Sequence, residues 1–334
     1  MRRTMQVSWQ RVKQLLLPAR LAVGLLCAAC SMTEASNVAP AGSCYPEMNS
    51  WSIGLQGADP DEVAQSAADL VIIDYSKTGT DEGAYSPRDV RRMQTRPDGG
   101  RRLVLAYINV GEIETYRSYW QEAWNTRPPA WILGPNPNWP KHFYVRYWDP
   151  EWRNIILRGP DAFLNRIIDA GFDGVMVDGS DTFELRQAQR PSAPAEMVDL
   201  LAELADVAHR RSPGFLVIPN NAEGLVSFPK FLSSVDGLLK EDLYFGVEQD
   251  GTVNEPGMVN WSLERLDAAR SAGLPVFLIE YLETPSQRSV VRERAAKRGY
   301  LLSYGSRDLS RLSEPVPLGV SERFRSPDFT SCGG

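Results

Sequence analysis

The stretch Gly171-Phe-Asp-Gly-Val-Met-Val-Asp178 decides the fold class, because its apolar residues end abruptly at an acid and a polar loop follows. A second stretch, Val235-Asp-Gly-Leu-Leu-Lys-Glu241, has the same form. Short apolar runs bounded by polar loops are typical of buried strands in a sheet. Each run therefore predicts a strand that ends in a carboxylate, which is Asp178 in the first case and Glu241 in the second.

Six further apolar runs extend this pattern, and helical patterns lie between them. Strands that alternate with helices form parallel βαβ units, and eight such units in about 280 residues match a (β/α)8 barrel. A doubly wound open sheet usually has a glycine-rich phosphate turn after its first strand, and Leu55-Gln-Gly-Ala-Asp-Pro60 is not one. We therefore predict an α/β fold, a single-domain TIM barrel over residues 50–334. The predicted strands are 51–56, 70–74, 102–109, 174–178, 215–219, 237–241, 275–280 and 299–304, and the predicted helices are 61–68, 86–95, 114–124, 161–170, 193–211, 262–272 and 286–297.

The first thirty residues have the composition of a secretory signal. Five basic residues precede a short apolar run, residues 21–30, that is too short to span a membrane. The run ends in Leu26-Cys-Ala-Ala-Cys30, which resembles the box cut before a lipidated cysteine, although Cys27 stands where an aliphatic residue is usual. We predict a signal peptide over residues 1–30 and a polar leader over 31–49. Cys30 is a lipidation candidate, and simple cleavage nearby is the alternative. The protein is expected to be secreted, periplasmic or lipid-anchored to the envelope.

The charge of the chain excludes one class of partner. Removal of residues 1–29 takes away five basic side chains and no acids, so the net charge changes from −6 to −11. Proteins that bind nucleic acid need a basic surface, so we expect no nucleic-acid partner. An acidic body is compatible with a cationic polymer such as a deacetylated amino-sugar polysaccharide.

Cysteine and histidine usage bears on disulfides and metals. Loss of the leader leaves Cys44 and Cys332, which form a natural disulfide pair in an oxidising compartment. The chain has only two histidines, and its cysteine spacing does not match a metal site, so no metal or organic cofactor is expected. A monomer is expected.

Polar side chains follow nearly every predicted strand. In a barrel the carboxyl ends of the strands form the active-site face, and a pair of acids there can protonate a leaving oxygen and attack or activate water. A pair of helix caps or surface acids is the alternative for any one carboxylate. The residues at these strand ends are Asp74, Tyr107, Glu112, Asp178, Asn220, Asn221, Glu241, Glu280 and Tyr281.

Six of the nine tryptophans lie within residues 120–152, in the one long excursion between the third and fourth predicted strands. Flat rings with a single donor are suited to stacking on sugar faces. The alternative is that these rings pack the long loop onto the barrel. The spacing of Trp148 and Trp152 favours packing.

The motifs together resemble glycoside hydrolase family 114, the endo-α-1,4-polygalactosaminidase-like extracellular barrels related to the hydrolase domain of the Pel polysaccharide machinery. The resemblance covers residues 50–305. It implies that Asp178 and Glu241 are catalytic, and one motif departs from the family, which usually has Gln-Asn where this chain has Asn220-Asn221. The motifs are Ala106-Tyr-Ile-Asn-Val-Gly-Glu112-Ile-Glu-Thr-Tyr-Arg117, Tyr147-Trp-Asp-Pro-Glu-Trp152, Gly171-Phe-Asp-Gly-Val-Met-Val-Asp178, Ile218-Pro-Asn-Asn221 and Lys240-Glu-Asp-Leu-Tyr244.

The predicted function is hydrolysis of an exported polysaccharide rich in galactosamine or a related amino sugar. Glu241 is assigned as general acid/base and Asp178 as nucleophile or stabilising carboxylate, with the other strand-end residues lining sugar subsites. A carbohydrate-binding barrel without catalysis and an envelope assembly protein are alternatives. A metal-dependent deacetylase is a further one, which the scarcity of histidine disfavours.

Overall fold

The structure, a computed structural model, describes residues 48–318. Within this range eight strands run parallel, and each lies inside one of the eight predicted runs. Every residue of these strands is buried except Asp178 and Glu241, which is why the strands read as continuous apolar runs rather than as an alternating pattern. The parallel strands are β1 (Trp51–Gly54), β2 (Leu70–Ile73), β3 (Leu103–Asn109), β7 (Gly174–Asp178), β8 (Leu216–Pro219), β9 (Leu238–Glu241), β10 (Val276–Glu280) and β11 (Leu301–Tyr304).

The parallel strands follow one another in chain order around a ring. One ladder joins β1, β2, β3, β7 and β8, and a second joins β9, β10 and β11. The two ladders meet where the Asp236 amide donates to Val217 O at 2.9 Å. On the other side, Trp51 Nε1 donates to Leu301 O at 2.8 Å, and the Ile53 amide donates to Ser313 Oγ at 2.9 Å. A short antiparallel strand, β12 (Glu314–Val316), pairs with β11 beside this contact.

Side-chain alternation along the strands separates two apolar cores. One core contains side chains from all eight parallel strands, such as Ile72, Met176 and Leu239, and fills the interior of the ring. The intervening residues, such as Val71 and Val175, pack against the helices outside. An interior filled from every strand is the defining feature of a (β/α)8 barrel, so the predicted fold class is confirmed.

Proline starts most of the helices that pack around the ring. Six of the described α-helices have proline at their first position, where the missing N–H would have no partner in the helix. The sequence also predicts a helix start at Asp149-Pro150, and the structure has one there. The prediction placed the start of the helix Pro256–Ser271 six residues too late and missed the helix Pro229–Ser234, because it did not use Pro229 and Pro256 as start signals. Asp161 is a possible cap for the helix predicted over residues 161–170, but the helix is Phe163–Asp169 and its capping position is Ala162. The helices are α1 (Pro60–Gln65), α2 (Pro87–Met93), α3 (Pro150–Arg153), α4 (Phe163–Asp169), α5 (Ala193–Arg211), α6 (Pro229–Ser234), α7 (Pro256–Ser271) and α8 (Pro285–Arg298).

A small antiparallel sheet is inserted between β3 and β7. Its strands are β4 (Glu112–Glu114), β5 (Ile132–Pro135) and β6 (His142–Val145), in the order β4-β6-β5. The helix predicted over residues 114–124 is therefore wrong, since this segment contains the end of β4, turns and the start of the 3-10 helix Glu122–Asn125. Glu114 and Arg117 point into the protein and form a buried ion pair. A helix that buries one apolar face would instead leave such charged side chains on its solvent-facing side.

The predicted signal peptide, the lipidation candidate Cys30 and the predicted pair Cys44 and Cys332 lie outside the described residues. Among residues 48–318, no helix is both long and apolar enough to cross a bilayer.

Candidate active site

Asp178 and Glu241, the two predicted catalytic carboxylates, are joined by one amide at the carboxyl ends of three adjacent strands. Asp178 ends β7, Asn220 follows β8 directly, and Glu241 ends β9. Each side chain continues the interior-facing positions of its strand, as Met176, Ile218 and Leu239 do below them. Asn220 Nδ2 is 3.3 Å from Asp178 Oδ1 and 3.1 Å from Glu241 Oε2.

Asp178 lies among donors and other acids. Tyr107 donates its hydroxyl to Asp178 Oδ2 at 3.0 Å. Burial, followed by the negative charges of Glu241 and Glu112, raises the pKa of Asp178 to about 6. Burial and the charge of Asp178 also raise the pKa of Tyr107 well above its usual value, which keeps this hydroxyl protonated as a donor. Asp178 is thus an acid that can hold a proton near neutral pH.

Three donors surround the carboxylate of Glu241. Tyr281 donates its hydroxyl to Oε1, and the amide nitrogens of Asn220 and Asn221 donate to Oε2 at 3.1 and 3.2 Å. Burial, then Glu241 itself, raises the pKa of Tyr281 well above its usual value, so the phenol remains a donor. These three hydrogen bonds fix the orientation of the Glu241 carboxylate. Four predicted site residues, Tyr281, Asn220, Asn221 and Tyr107, therefore contact the carboxylate pair.

Glu112 is held at the edge of the same site by the inserted sheet. Asn136 Nδ2 donates to Glu112 Oε1 at 2.6 Å, and His142 Nδ1 lies 3.1 Å from Oε2. Burial alone would lower the pKa of His142, but the hydrogen bond to Glu112 and the charge of Glu114 outweigh it and raise the pKa.

Asp74 reaches the interior side but is already fully paired. Arg117 Nη1 and Nη2 donate to its two oxygens at 2.8 Å each. The Arg117 side chain is 1% exposed and also donates from Nε to Glu114 Oε2 at 2.8 Å. The structure therefore places Asp74 in a buried ion pair that anchors the inserted sheet, while a direct sugar contact stays a prediction.

Glu280 is the predicted site residue that the structure does not bring to the cleft. Its side chain is 0% exposed, and Oε1 accepts from the Tyr244 amide at 2.8 Å. Burial raises its pKa to about 8, so the group is protonated at neutral pH. The reason is alternation: Glu280 continues the helix-facing positions Val276 and Leu278, whereas Tyr281 is one residue further and faces the pair.

Four residues near the pair were not predicted. Asn109 Nδ2 donates to the Tyr107 hydroxyl at 3.1 Å, and its Oδ1 accepts from the Glu112 amide at 2.9 Å. Gly179 permits this close packing, because it has φ +69° and an added Cβ would lie 2.4 Å from Asn109 Oδ1. Burial and the charge of Asp178 raise the pKa of Asp181 well above its usual value. Lys240, next to Glu241, contacts Asn221. Asn109 could have been found from sequence, since it is two residues after Tyr107 on the same side of β3.

No group of three or more histidine, cysteine, aspartate or glutamate side chains in residues 48–318 is arranged to hold a metal ion.

A parallel barrel with a close pair of carboxylates at the carboxyl ends of its strands has the architecture of a glycoside hydrolase. The family model of glycoside hydrolase family GH114 matches residues 32–314, and the chain belongs to this family. It is a glycoside hydrolase, and the resemblance found in the sequence motifs is confirmed.

Curated relatives cover most of the chain. An uncharacterized protein of Thermotoga maritima is 30% identical over 313 residues, which are 89% of this chain and 91% of the relative. An uncharacterized protein of Deinococcus radiodurans is 35% identical over 269 residues, which are 78% of this chain and 82% of the relative. Among solved structures, the glycoside hydrolase domain of PelA from Pseudomonas aeruginosa aligns with a TM-score of 0.61 at 19% identity, covering 79% of this chain and 97% of that domain. That likeness supports the fold.

Proposed function

We propose that this glycoside hydrolase cleaves a galactosamine-rich polysaccharide, as an endo-α-1,4-polygalactosaminidase, with Asp178 and Glu241 as its catalytic carboxylates. The observation that carries the proposal is the amide of Asn220, which contacts both carboxylates at the active-site end of the barrel. One acid can protonate the glycosidic oxygen while the other attacks the sugar carbon.

The contacts favour a retaining mechanism. Since one nitrogen contacts both carboxylates, their facing oxygens are no further apart than the sum of the two contacts, 3.3 and 3.1 Å. A contact of both carboxylates with one nitrogen supports the shorter carboxyl separation of retaining enzymes, about 5–5.5 Å, which leaves no room for a water molecule between the groups. We therefore propose a double displacement through a glycosyl-enzyme intermediate.

The division of labour between the two acids remains a prediction. The sequence-based assignment gives the proton to Glu241, whereas in the free protein the raised pKa belongs to Asp178. Besides burial, the negative charge of Glu241 is one cause of the raised pKa of Asp178, so a single proton on the two carboxyl groups is enough for the proposed reaction. The form that reacts carries one proton on the pair, whichever oxygen holds it when sugar binds.

The pH profile follows from the raised pKa of Asp178. Burial and the charges of Glu241 and Glu112 raise the pKa of Asp178 to about 6. We therefore expect kcat/KM to fall above pH 6, by about tenfold for each further unit, because the fully ionised pair has no acid to protonate the leaving oxygen. Steady-state kinetics between pH 4 and 8 measure this limb.

Two variants test whether the fall of kcat/KM above pH 6 reports loss of a proton from the two catalytic carboxyl groups. Glu112→Gln removes a negative charge that raises the Asp178 pKa, so the limb should move to lower pH. His142→Gln should leave a limb in place, since His142 is not the proton donor. A limb that stays fixed in Glu112→Gln, or a flat profile, would contradict the assignment.

Acidic groups around the pair support a cationic substrate. Glu112 adds negative charge beside Asp178, and a cleft lined with one sign of charge concentrates ligands of the opposite sign. The test is release of reducing ends from an α-1,4-galactosamine polymer in deacetylated and N-acetylated forms. Faster cleavage of the deacetylated polymer is the expected result. Binding of both polymers without any cleavage would instead indicate a carbohydrate-binding barrel that lacks catalysis.

Trp139 is proposed as the stacking platform for sugar at the edge of the cleft. The other tryptophan rings of the excursion pack on one another or on the barrel, as the 5.4 Å ring distance between Trp124 and Trp131 illustrates. Trp152 is fully buried and donates to Val110 O at 2.9 Å, so its predicted packing role is confirmed. Trp139, in contrast, is 51% exposed. Its ring lies 6.3 Å from the ring of His142, which contacts Glu112.

We expect Trp139→Ala to raise KM by roughly tenfold, about the value of one lost aromatic contact, with kcat little changed. The reason is that Trp139 does not contact the carboxylates. Trp139→Phe keeps a flat ring and should retain most of the affinity. Polymer hydrolysis at varied substrate concentration measures both constants, and an unchanged KM in Trp139→Ala would remove Trp139 from the binding surface.

The site of action is proposed to be outside the cytoplasm, with the protein a monomer that is either free or anchored through a lipid on Cys30. The basic leader and short apolar run support this proposal. Mass analysis of the amino terminus of the expressed protein tests it, and an uncleaved leader on cytoplasmic protein would contradict it.

A further inference from the structure

Lys240 lies directly before Glu241 but on the other side of β9. It continues the helix-facing position of Leu238, and its side chain is buried between the barrel and the surrounding layer. Its Nζ is 2.9 Å from Glu223 Oε1 and 3.2 Å from Asn221 Oδ1. A buried ammonium therefore contacts both a counter-ion and an amide that reaches the carboxylate pair.

Asn221 carries this contact to Glu241. Its Oδ1 accepts from Lys240 Nζ and from the Glu241 backbone amide, each at 3.2 Å, and its Nδ2 donates to Glu241 Oε2 at 3.2 Å. An ammonium and a backbone N–H only donate, while an ionised carboxylate only accepts. The amide of Asn221 can satisfy all three in one orientation alone. Reversed, it would set its carbonyl oxygen against the carboxylate of Glu241.

The backbone at Asn221 is also constrained. Its φ is +51°, in the left-handed region that asparagine adopts more readily than most residues. This conformation turns the side chain out of the barrel interior towards Lys240 and Glu241 and lets the adjacent Asn220 face inward to both acids.

We propose that Lys240 is a positioning residue for Glu241, acting through the side-chain amide of Asn221. This inference rests on the proposed function, since it assigns Lys240 a role in the reaction through Glu241. Lys240 touches neither the substrate nor the reacting atoms. Its ammonium fixes which end of the Asn221 amide faces the carboxylate, and thereby fixes the orientation of Glu241 Oε2.

The single variant Lys240→Met also leaves Glu223 buried without its cation, which by itself destabilises the fold. The double variant Lys240→Met with Glu223→Gln removes that second effect, because it neutralises both partners. In the parent Ser262 Oγ lies 2.8 Å from Glu223 Oε1, so this hydroxyl remains as a partner for the amide group introduced at position 223. Comparison of the two variants separates ion-pair stability from orientation of Asn221.

We expect the double variant to regain much of the stability lost in Lys240→Met, measured as the urea midpoint. Its kcat should nevertheless stay lower than that of the parent by roughly 10–100-fold, with KM changed little, since a misoriented catalytic group loses rate rather than binding. Recovery of parental kcat in the double variant would overturn the proposal, because Lys240 would then serve Glu223 alone.

A second readout does not depend on hydrolysis. In ¹H–¹⁵N spectra the Asn221 side-chain amide, identified by its loss in Asn221→Asp, should exchange slowly with solvent in the parent. In the double variant its peaks should move and exchange at least about tenfold faster, because the amide can then rotate. Unchanged peaks would overturn the role of Lys240 even if the parent cleaves polymer, and changed peaks would support it even if the parent cleaves none.

Discussion

Asp178→Asn and Glu241→Gln are each expected to lower turnover of a galactosamine polymer by at least about 10³-fold, the upper part of the range for loss of a general acid or base. Each amide has nearly the same shape as the acid, so Asn220 still has two oxygens as partners. What is lost is the nucleophile in one variant and the proton donor in the other. Release of reducing ends measures turnover, and polymer binding should persist.

A matched control separates catalysis from simple loss of a buried acid. Glu184→Gln makes the same chemical change at another buried carboxyl group, which makes no hydrogen bond to Asp178, Asn220 or Glu241. Burial and the charge of Glu223 raise the pKa of Glu184 to about 7. This variant should keep turnover close to that of the parent. If Asp178→Asn or Glu241→Gln behaved like Glu184→Gln, that residue would not be catalytic.

The second large effect is on stability. Arg117→Met should lower the free energy of unfolding by about 3–5 kcal/mol, the typical cost of removing one partner of a buried ion pair. The Arg117 and Glu114 side chains are each 1% exposed. Asp74 would therefore lose its buried cation, and Glu114 would keep the longer contact with His142 Nε2 at 3.9 Å. Urea denaturation followed by circular dichroism measures the change, provided that the slope m is unaltered.

Two further variants bracket this result. Replacing all three groups by neutral ones, Asp74→Asn, Glu114→Gln and Arg117→Met together, should recover much of the stability, since no buried charge then lacks a partner. Lys297→Met removes an exposed helix pair with Glu293 and should leave the unfolding midpoint unchanged. An equally small change in Arg117→Met would mean that the buried pair does not anchor the inserted sheet to the barrel.

The strand ends were the part of the site that the sequence could predict. Each barrel strand is a compact apolar run that stops at a polar residue, so Asp178 and Glu241 could be placed at one pole before any contact was known. The same signal does not distinguish the two sides of a strand. It therefore grouped Glu280 with Tyr281, although adjacent residues face opposite sides.

Partners distant in sequence could not be predicted. Asp74 and Arg117 are 43 positions apart, and nothing local to either residue indicates that one fully pairs the other. The helix predicted over residues 114–124 failed for the same reason, because the segment is fixed by that ion pair and by β6 rather than by its own periodicity. The sequence indicated residues 120–152 as a candidate sugar-binding segment, which stays a prediction. Only exposure in the fold distinguished Trp139 from the packed rings.

Covalent trapping tests the central claim most directly. The protein is incubated with a 5-fluoro galactosaminyl fluoride, which forms the glycosyl-enzyme quickly and releases it slowly, and its peptides are then mapped by mass spectrometry. The account predicts one sugar attached to the carboxyl of Asp178 or Glu241, and a label on the former would support the assignment made from sequence. A label on any other side chain, or full turnover of the reagent with inversion and no label, would contradict the retaining two-carboxylate mechanism.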